Sequence, residues 1–511
     1  MSSENNKLIA KNTFFLYLRM LLSMLVALYT ARVVLSTLGV NDFGIYNVVG
    51  GIVVMFGFIS NSMSSASQRF LAFEIGQKNI ENLKRTFSVT VTIYILFALI
   101  TIILAETIGL WFVSTQLNIP ITRMHAALWV YQFSILSFIV TILRVPYNSA
   151  IIAHERMGFY AWISIVEVVL KLTVVFMLIW FKFDKLILYA ILLFIVLTII
   201  TIIYKTYCQF KFIECKYRFI WDKELFKTMF NFAGWNLFVS LANLGMNEGI
   251  NVLLNIFFGS AINAARGIAF QINSQVISFV GNFQVAASPQ IIKYYAEDKK
   301  PEMKRLLFQS SRLSYYLLFI IALPVLLETD ILLKWWLKEV PEYTALFARL
   351  VIITTLTDCL SGTIIPAVQA TGKIKYYQIF VGSTLLLNLP ISYLFLKLGY
   401  PPQITMIVSI GLSAIALFIR LYIVRTLLGF KIKDYLNEVV KYNLIITIVS
   451  LVIPLYVRIK FDQGIITFLI VGSLCLITTS LSIFYIGLKI RERQKIVLLI
   501  KTKIQHLVGN I

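Results

Sequence analysis

The chain has 511 residues, of which 59% are hydrophobic and only 14% are charged, whereas an average soluble domain is roughly 25% charged. Apolar runs of about 20 residues recur from end to end, and each is long enough to cross a bilayer, which excludes a soluble enzyme or binding module. The net charge of +22 would suggest a nucleic-acid partner in a soluble protein. In a membrane protein, the meaning of this charge depends on which loops carry the lysines and arginines.

Hydropathy predicts an all-α polytopic membrane protein with about 14 transmembrane helices. In chain order they are expected near residues 12–38, 43–63, 86–113, 123–150, 158–181, 185–207, 226–258, 263–288, 306–327, 344–370, 376–397, 403–425, 440–458 and 464–488. Residues 1–11 are polar, and the apolar run that follows is too long for a signal-peptide core and lacks a cleavage site. The first helix is therefore expected to remain as an anchor.

Lysine and arginine lie mostly on one side of this topology. About 30 of them fall in the loops on the side of the N-terminus, and about 8 fall in the opposite loops. The positive-inside rule then predicts that both termini are cytoplasmic, and most of the net charge becomes an orientation signal. Four arginines near the predicted cytoplasmic helix ends are expected to extend to the interface: Arg69, Arg144, Arg312 and Arg420.

The chain resembles itself at an offset of 220 residues. Equivalent places in the spans are matched: Gly39 with Gly259, Lys84-Arg85 with Lys304-Arg305, and Pro146 with Pro366. This predicts six duplicated helices. Because six is even, the two copies should run in the same direction through the membrane, related by a pseudo-two-fold axis along its normal. Two parallel bundles of this kind are expected to enclose a central cleft.

The repeat predicts five regions along the chain. They are an N-terminal six-helix bundle at 1–207, a cytoplasmic connecting loop at 208–225, a C-terminal six-helix bundle at 226–427, two further helices at 428–488 and a basic cytoplasmic tail at 489–511.

A column of amides runs along the predicted helix 226–258. Asn243, Asn247, Asn251 and Asn255 recur every fourth residue, so they stack on one side and rise about 18 Å. Unsatisfied polar groups in lipid cost several kcal/mol each, so the column must face protein or water. It is either hydrogen-bonding glue between helices or, the favoured interpretation, a cavity wall with donors and acceptors for sugar hydroxyls.

Other polar side chains extend this interpretation. Gln271 and Gln275 share one face of the predicted helix 263–288, and Arg266 lies on roughly the opposite face. Arg19 lies on a strip of small and polar residues in the first helix. We expect Arg19 and Arg266 to face the cavity. A cationic, amide-lined cleft suits an anionic amphiphile such as a sugar chain on a pyrophosphate, because arginine grips phosphate through bidentate hydrogen bonds.

Three acidic residues lie within predicted spans, where such groups are functional candidates. Glu167 precedes Lys171 by four residues, the favourable order for an ion pair within a helix, so a structural role is predicted. Glu248, beside the amide column, and Asp358 are candidates for coupling to H+ or Na+. A buried, hydrogen-bonded acid remains the alternative for both.

The sequence contains none of the enzyme motifs G-x-x-x-x-G-K-[ST], H-E-x-x-H, G-x-S-x-G and G-x-G-x-x-G. Its four cysteines form no C-x-x-C pair, and it has only three histidines, so neither a zinc site nor a disulfide framework is expected. We predict that the chain is not an enzyme, has no catalytic residues and needs no cofactor other than a coupling ion.

Two stretches resemble bacterial polysaccharide flippases. Phe43-Gly44-Ile45-Tyr46 matches the aromatic-Gly-x-Tyr element that opens their second helix, and residues 255–269 read NIFFGSAINAARGIA, as a similar segment does in their second half. The chain thus resembles the O-antigen or capsule (Wzx-type) branch of the multidrug/oligosaccharidyl-lipid/polysaccharide exporter superfamily. The resemblance covers essentially the whole chain, including the layout of six, six and two helices.

This resemblance implies a flippase of the bacterial inner membrane. It would move an undecaprenyl-pyrophosphate-linked oligosaccharide, the repeat unit of an O-antigen, capsule or exopolysaccharide, to the periplasmic leaflet by alternating access driven by an ion gradient. Arg19 and Arg266 become expected contacts to pyrophosphate or sugar. The expected partners are the lipid-linked oligosaccharide, membrane lipids, a polysaccharide polymerase and chain-length machinery, and not nucleic acid.

Two alternatives belong to the same superfamily. A cation-coupled multidrug exporter usually has about 12 helices, fewer than predicted here. A lipid II flippase has about 14 but carries more arginine in its first helix.

Overall fold

The computed structural model describes residues 3–54, 57–115, 119–181, 183–337, 340–462, 464–490 and 492–494. Within these ranges the chain is helical and contains no β-strand, which confirms the predicted all-α class. Most of the predicted basic tail, residues 495–511, lies outside the described residues, as does the side chain of Phe43 in the aromatic element.

The described residues of the first half form seven helices. They are α1 (Ser3–Val54), α2 (Gly57–Gln77), α3 (Ile80–Leu104), α4 (Leu110–Thr115), α5 (Ile121–Ala153), α6 (Met157–Trp180) and α7 (Lys185–Lys211). A π-helical turn, Ala105–Gly109, joins α3 to α4, and a 3-10 turn, Ile213–Cys215, follows α7.

In the second half, the part of the chain that the structure describes forms twelve helices. They are α8 (Lys223–Phe258), α9 (Ser260–Ala296), α10 (Lys300–Leu327), α11 (Thr329–Trp336), α12 (Thr344–Cys359), α13 (Ile364–Ala370), α14 (Lys375–Leu386), α15 (Asn388–Lys397), α16 (Ile404–Leu428), α17 (Ile432–Tyr435), α18 (Lys441–Lys460) and α19 (Ile465–Ser482). Every predicted span falls on one or two of these helices. Among the described residues, 11 helices are long and apolar enough to cross a membrane, so the chain is a multi-pass membrane protein.

Local sequence fixes several helix ends. The side chain of Asn79 accepts a hydrogen bond from the Asn82 amide and caps the start of α3. Asp184 caps α7 in the same way, through the amides of Leu186 and Ile187. At the C-terminal end of α16, Gly429 takes a left-handed conformation with φ 74° and terminates the helix, as glycine commonly does.

The offset of 220 residues seen in the sequence recurs in the backbone. Gly39 kinks α1 with φ 79°, and Gly259, which separates α8 from α9, has φ 82°. These left-handed values are strained for residues with a Cβ. Just before α3 and α10, Lys78 and Asp298 also share left-handed values of 57° and 54°. Both halves therefore repeat the same backbone breaks at equivalent positions.

The π-helical turn after α3 contacts a buried tyrosine of α5. The hydroxyl of the fully buried Tyr131 donates to the Ala105 carbonyl at 2.6 Å. A Cβ placed on Gly109 would lie only 2.1 Å from that hydroxyl oxygen. The Ala105 carbonyl also accepts from the Leu110 amide, so it serves both the turn and Tyr131, and the missing side chain at Gly109 leaves space for the tyrosine hydroxyl.

The described chain divides into two compact units. The first consists of Met1–Leu241, Val285–Lys300 and Gln369–Gln378, and the second of Ala242–Gln284, Pro301–Val368 and Ile379–Ile511. In the first unit α5 packs against α2, α3 and α7, and α1 packs against α6. In the second unit α16 packs against α12 and α15, and α18 packs against α19. The five-region division made from the sequence stays a prediction.

The expectation that four arginines extend to the interface is wrong for Arg69. This side chain is 8% exposed and donates to the carbonyls of Gln369 at 3.0 Å and Ala370 at 2.8 Å. Its guanidinium also lies over the ring of Phe70, 4.5 Å from the centroid. The last carbonyls of a helix lack partners within it, and Arg69 supplies donors to the end of α13.

The other three arginines also have partners inside the protein, and Arg144 pairs with Glu167 at 3.1 Å. Arg312 and Arg420 are 5% and 7% exposed. Arg312 lies 3.5 Å from Glu492, and Arg420 donates to the Ser361 hydroxyl at 2.8 Å. These acceptors are distant in sequence, so the position of an arginine near a helix end did not reveal them.

Candidate substrate and ion site

Arg266 is the centre of a polar cluster between α8 and α9 in the second unit. Its Nη1 donates to the Asn251 side-chain oxygen at 2.5 Å, and its Nη2 donates to the Asn247 side-chain oxygen at 3.2 Å. The guanidinium lies over the ring of Phe270, 4.3 Å from the centroid. Although the side chain is only 6% exposed, its charge is thus held by two amide oxygens and one aromatic face.

The two asparagines use their remaining donors differently. Asn251 donates to the carboxylate of Glu248 at 3.2 Å, so one amide links the cation of Arg266 to an anion. Asn247 donates to the Asn243 carbonyl of its own helix at 2.9 Å. Part of the amide column therefore does connect two helices, because both oxygens that receive Arg266 come from α8.

A cavity of about 230 Å³ adjoins this cluster within the second unit. Its polar lining includes Asn243, Asn247, Arg266, Asn273 and Asp358. Pockets for drug-sized ligands are roughly 300–1,000 Å³, and one water occupies about 30 Å³ in the liquid. In this conformation the cavity accommodates a solvated ion or a single polar group, and an oligosaccharide would need a conformation in which the cavity is wider.

Asp358 is the acidic residue of this cavity. It lies near the end of α12, is half-buried, and is hydrogen-bonded to Ser413 of α16. Among the described residues no lysine or arginine approaches its carboxylate within 4 Å; Arg420 contributes only a longer-range attraction. A carboxylate without a close cation in a polar cavity is available to a mobile cation.

Glu248, the other candidate for ion coupling, has a different setting. It is exposed and accepts the hydrogen bond from Asn251, and it is not among the residues that line the cavity. Its charge also attracts Arg266. Asp358 therefore lines the cavity together with Arg266 and Asn247, whereas Glu248 is linked to Arg266 through Asn251 and does not line it.

Arg19 lies in the first unit. Its guanidinium sits over the ring of Tyr160, 4.7 Å from the centroid, where α1 packs against α6. The side chain is half-buried, so the ring covers one side of the guanidinium while part of the cation stays accessible.

Gln271 and Gln275 are both exposed on α9. They lie on the face of α9 that Arg266 does not occupy, and neither lines the cavity beside Arg266. On the Arg266 side of the same helix, Asn273 accepts a hydrogen bond from the buried hydroxyl of Thr355 at 2.8 Å. The two polar faces of α9 are thus an exposed one and one that packs within the second unit.

The predicted ion pair of Glu167 is present. Lys171 lies 2.7 Å from its carboxylate, and Arg144 of α5 lies 3.1 Å from the other oxygen. Spacing along one helix indicated the lysine. The arginine was missed because it comes from a different helix and only packing brings it near.

Sequence reasoning also missed a small polar network on α15 and α16. Asn388 is buried and donates to the Ser409 hydroxyl at 2.7 Å, while Ser392 donates to the Asn388 oxygen at 2.7 Å. Asn388 and Ser409 both line the cavity. Isolated hydroxyl residues in apolar helices usually bond to their own backbone, so nothing in the sequence marked them.

A separate polar cluster, which we call the latch, lies in the first unit and consists of Glu155, Lys293, Gln77 and Ala296. Lys293 of α9 pairs with Glu155 at 2.5 Å, and their side chains are only 14% and 3% exposed. Gln77 of α2 donates to the Ala296 carbonyl. A Cβ on Gly76 would lie 2.7 Å from that of Ala296, so α2 closely approaches the end of α9. The latch joins segments from both halves of the sequence.

The described part of the chain contains no group of three or more histidine, cysteine, aspartate or glutamate side chains placed to hold a metal ion. The cavity around Asp358 offers one carboxylate with hydroxyl and amide oxygens, which are ligands for a weakly held alkali cation or positions for a proton rather than a tight metal site.

Solved structures with the same arrangement of helices are MATE transporters. An outward-facing multidrug resistance MATE family transporter of the MOP superfamily is 12% identical, with a TM-score of 0.68 over 83% of this chain and 96% of its own. VcmN of Vibrio cholerae in its bent form is 17% identical, with a TM-score of 0.66 over 86% of this chain and 100% of its own. The chain has the MATE fold.

A third MATE-fold structure, ClbM in complex with Rb+, is 14% identical, with a TM-score of 0.69 over 86% of this chain and 98% of its own. At these identities the likeness concerns the fold alone. No protein-family model and no curated protein matches the chain.

Proposed function

We propose that this protein is a flippase. It moves an undecaprenyl-pyrophosphate-linked oligosaccharide from the cytoplasmic to the periplasmic leaflet of the bacterial inner membrane, by alternating access through a cationic cavity. The MATE fold supports transport as the activity, since the solved proteins that share it are transporters. The substrate class rests on the chemistry of the polar residues.

The observation that carries the substrate class is the environment of Arg266. The guanidinium is oriented by two amide oxygens and an aromatic ring. Glu248 supplies the carboxylate of the cluster and reaches the guanidinium through the Asn251 amide. An arginine that is held by neutral acceptors can exchange these for phosphate oxygens, because charge-assisted hydrogen bonds to phosphate are stronger. The amides released in that exchange can then bind sugar hydroxyls.

Ion coupling is assigned to Asp358. A cavity of about 230 Å³ has room for a cation and several waters, and the carboxylate has no close cation among the described residues. The MATE structure of ClbM was determined with Rb+, which illustrates that this fold accommodates an alkali cation. In this proposal, binding of H+ or Na+ at Asp358 returns the empty transporter to its cytoplasm-facing state.

A multidrug exporter is the second candidate, and one observation favours it. Asp358 lines the same cavity as Arg266, and an accessible carboxylate could receive an organic cation instead of a coupling ion. One of the structurally similar proteins is described as a multidrug resistance transporter.

The deciding experiment is deletion of the gene in its native host. The flippase proposal predicts that undecaprenyl-linked repeat units accumulate on the cytoplasmic side, with tolerance to cationic drugs unchanged. Unchanged glycolipid with altered drug tolerance would support the exporter. Single repeat units that have already reached the periplasm would point instead to an enzyme of the same pathway.

A further inference from the structure

A second cavity, of about 630 Å³, lies entirely within the first unit. Its walls come from α3 and α7, and its floor comes from α5, against which both pack. We call it the α3–α7 groove. It shares no residue with the cavity beside Arg266.

The α3–α7 groove is apolar along its length and polar at one end. Val91, Ile95, Leu143 and Ile202 form the apolar part, while the polar end carries Lys205, Gln209, Lys216 and Tyr217. Along α7 the lining runs from Thr198 to Gln209, which is about 16 Å at 1.5 Å per residue. The hydrocarbon core is roughly 30 Å thick, so the groove is about as deep as one leaflet.

The polar end is held in place by the segment that follows α7. The Tyr217 hydroxyl lies 3.3 Å from the Thr92 hydroxyl on α3. The next backbone amide, of Arg218, donates to the Ser88 hydroxyl at 3.5 Å. These two bonds attach the segment to α3 next to Lys216, which lines the groove together with Lys205 of α7, so that two separate elements each supply a cation.

These two lysines carry uncompensated charge. The nearby acids have other partners: Glu214 pairs with His154 at 2.5 Å, and Asp222 pairs with Arg85 at 2.5 Å. Lys205 and Lys216 are exposed, and in the described part of the chain neither has a carboxylate within 4 Å. Two such cations at the end of an apolar groove attract an anion that is attached to a hydrocarbon chain.

We propose that the α3–α7 groove binds one anionic glycerophospholipid of the cytoplasmic leaflet. The phosphate lies between Lys205 and Lys216, with Gln209 and Tyr217 as further hydrogen-bonding groups, and an acyl chain lies along the apolar lining. The positive-inside distribution of charge places this end of α7 at the cytoplasmic surface. Basic pockets between helices on that side bind anionic lipid head groups.

The test uses the full-length protein in detergent and measures bound lipid by native mass spectrometry. The probes are phosphatidylglycerol, phosphatidylcholine with the same acyl chains, inorganic phosphate and undecaprenyl phosphate. The double variant Lys205→Gln/Lys216→Gln is compared with Lys211→Gln/Lys227→Gln, which removes the same charge from exposed residues outside the groove. Size-exclusion profiles and melting temperatures verify that both variants are folded.

The proposal predicts preference for phosphatidylglycerol over phosphatidylcholine. It also predicts that phosphatidylglycerol binds about 25-fold more weakly to the groove double variant, on the basis of about fivefold for each lysine. Its affinity for the control should stay within about twofold of wild type. A single variant, Ile202→Trp, should weaken binding by filling the apolar part while keeping both charges.

Three results would overturn it. Equal binding of the two lipids would show that no anionic site exists, and displacement by inorganic phosphate at equal concentration would show a simple anion site. Displacement by undecaprenyl phosphate with the same dependence on Lys205 and Lys216 would assign the groove to the transported lipid. The outcome is independent of the proposed flippase activity, because no transport is measured.

Discussion

The Nη1 of Arg266 and the side-chain oxygen of Asn251 lie 2.5 Å apart, and the other end of the same amide donates to Glu248. An amide between a cation and an anion keeps the two charges attracted without a direct ion pair. A direct salt bridge between Glu248 and Arg266 would instead give the guanidinium a charged acceptor. The intervening asparagine leaves neutral acceptors, which are the easier ones for a phosphate to replace.

The first prediction concerns Arg266. Replacement by glutamine should reduce export at least tenfold, and replacement by lysine should restore only part of it. Lysine keeps the charge but cannot donate from a planar fork to two amides while stacking on Phe270. Export of the repeat unit is measured in cells, with protein abundance in the membrane followed by immunoblot. The exposed Arg305 of α10, changed to glutamine, is the matched control. Full activity of Arg266→Gln would remove this residue from the site.

The second prediction separates the two acids. Asp358→Asn should abolish the dependence of transport on the ion gradient, because this carboxylate lines the cavity. Glu248→Gln should retain that dependence and instead weaken substrate binding, because Glu248 is exposed and bonded to Asn251. Uptake is measured in proteoliposomes with imposed Na+ or H+ gradients. Loss of ion dependence in Glu248→Gln alone would reverse the assignment.

The third prediction concerns the latch. Glu155 and Lys293 are nearly buried together, and removing one partner of such a pair typically costs about 3–5 kcal/mol, because the other charge is left uncompensated. Glu155→Gln and Lys293→Met should each lower the melting temperature. The double variant should lose less than the sum of the two, since no unpaired charge remains.

A double-mutant cycle on the purified protein measures this coupling. Additive losses would show that the two charges do not interact in the membrane-embedded protein.

The fourth prediction concerns pH and the loop before α7. Partial burial alone would raise the pKa of Asp184, but hydrogen bonds from Arg123 and from the amides of Ile187 and Leu186 more than offset it and hold the pKa below its ordinary 3.8. A carboxyl whose pKa is lower in the folded state stabilises the fold above its unfolded pKa. Its contribution is lost as the pH falls through the folded value. The effect therefore lies below about pH 4.

Two variants separate the charge from the helix cap. Asp184→Asn removes the ion pair with Arg123 at 2.6 Å, but asparagine still caps α7. Asp184→Ala loses both and should be less stable than Asp184→Asn by about 1 kcal/mol. Melting temperatures between pH 7 and pH 3 provide the measurement. If wild type and Asp184→Asn lose stability in parallel over this range, Asp184 does not contribute to the pH dependence.

The sequence was sufficient to predict the helices and the repeat. Runs of apolar residues determine membrane helices because the backbone must satisfy its own hydrogen bonds in lipid. The pairing of Gly39 with Gly259 correctly indicated two equivalent breaks, because only glycine takes such φ values without strain. The ion pair of Glu167 with Lys171 followed from the geometry of one helix.

Contacts between distant helices were not predictable in this way. Arg69 was expected at the interface but instead binds the last carbonyls of α13, about 300 residues later in the chain. The partner of Arg266 was partly foreseen, since the amide column had to face something polar. The choice of Asn247 and Asn251 as its acceptors was not predictable, because it depends on how α9 packs against α8 after Gly259.

The most direct test of the central claim is translocation in proteoliposomes that contain only this protein and a fluorescent undecaprenyl-pyrophosphate-linked oligosaccharide. The fraction of the glycolipid accessible from outside is followed after an ion gradient is imposed. The account predicts gradient-dependent movement by the wild-type protein and little movement above protein-free liposomes for Arg266→Gln. Export of a cationic dye by the same vesicles without any movement of the glycolipid would contradict it.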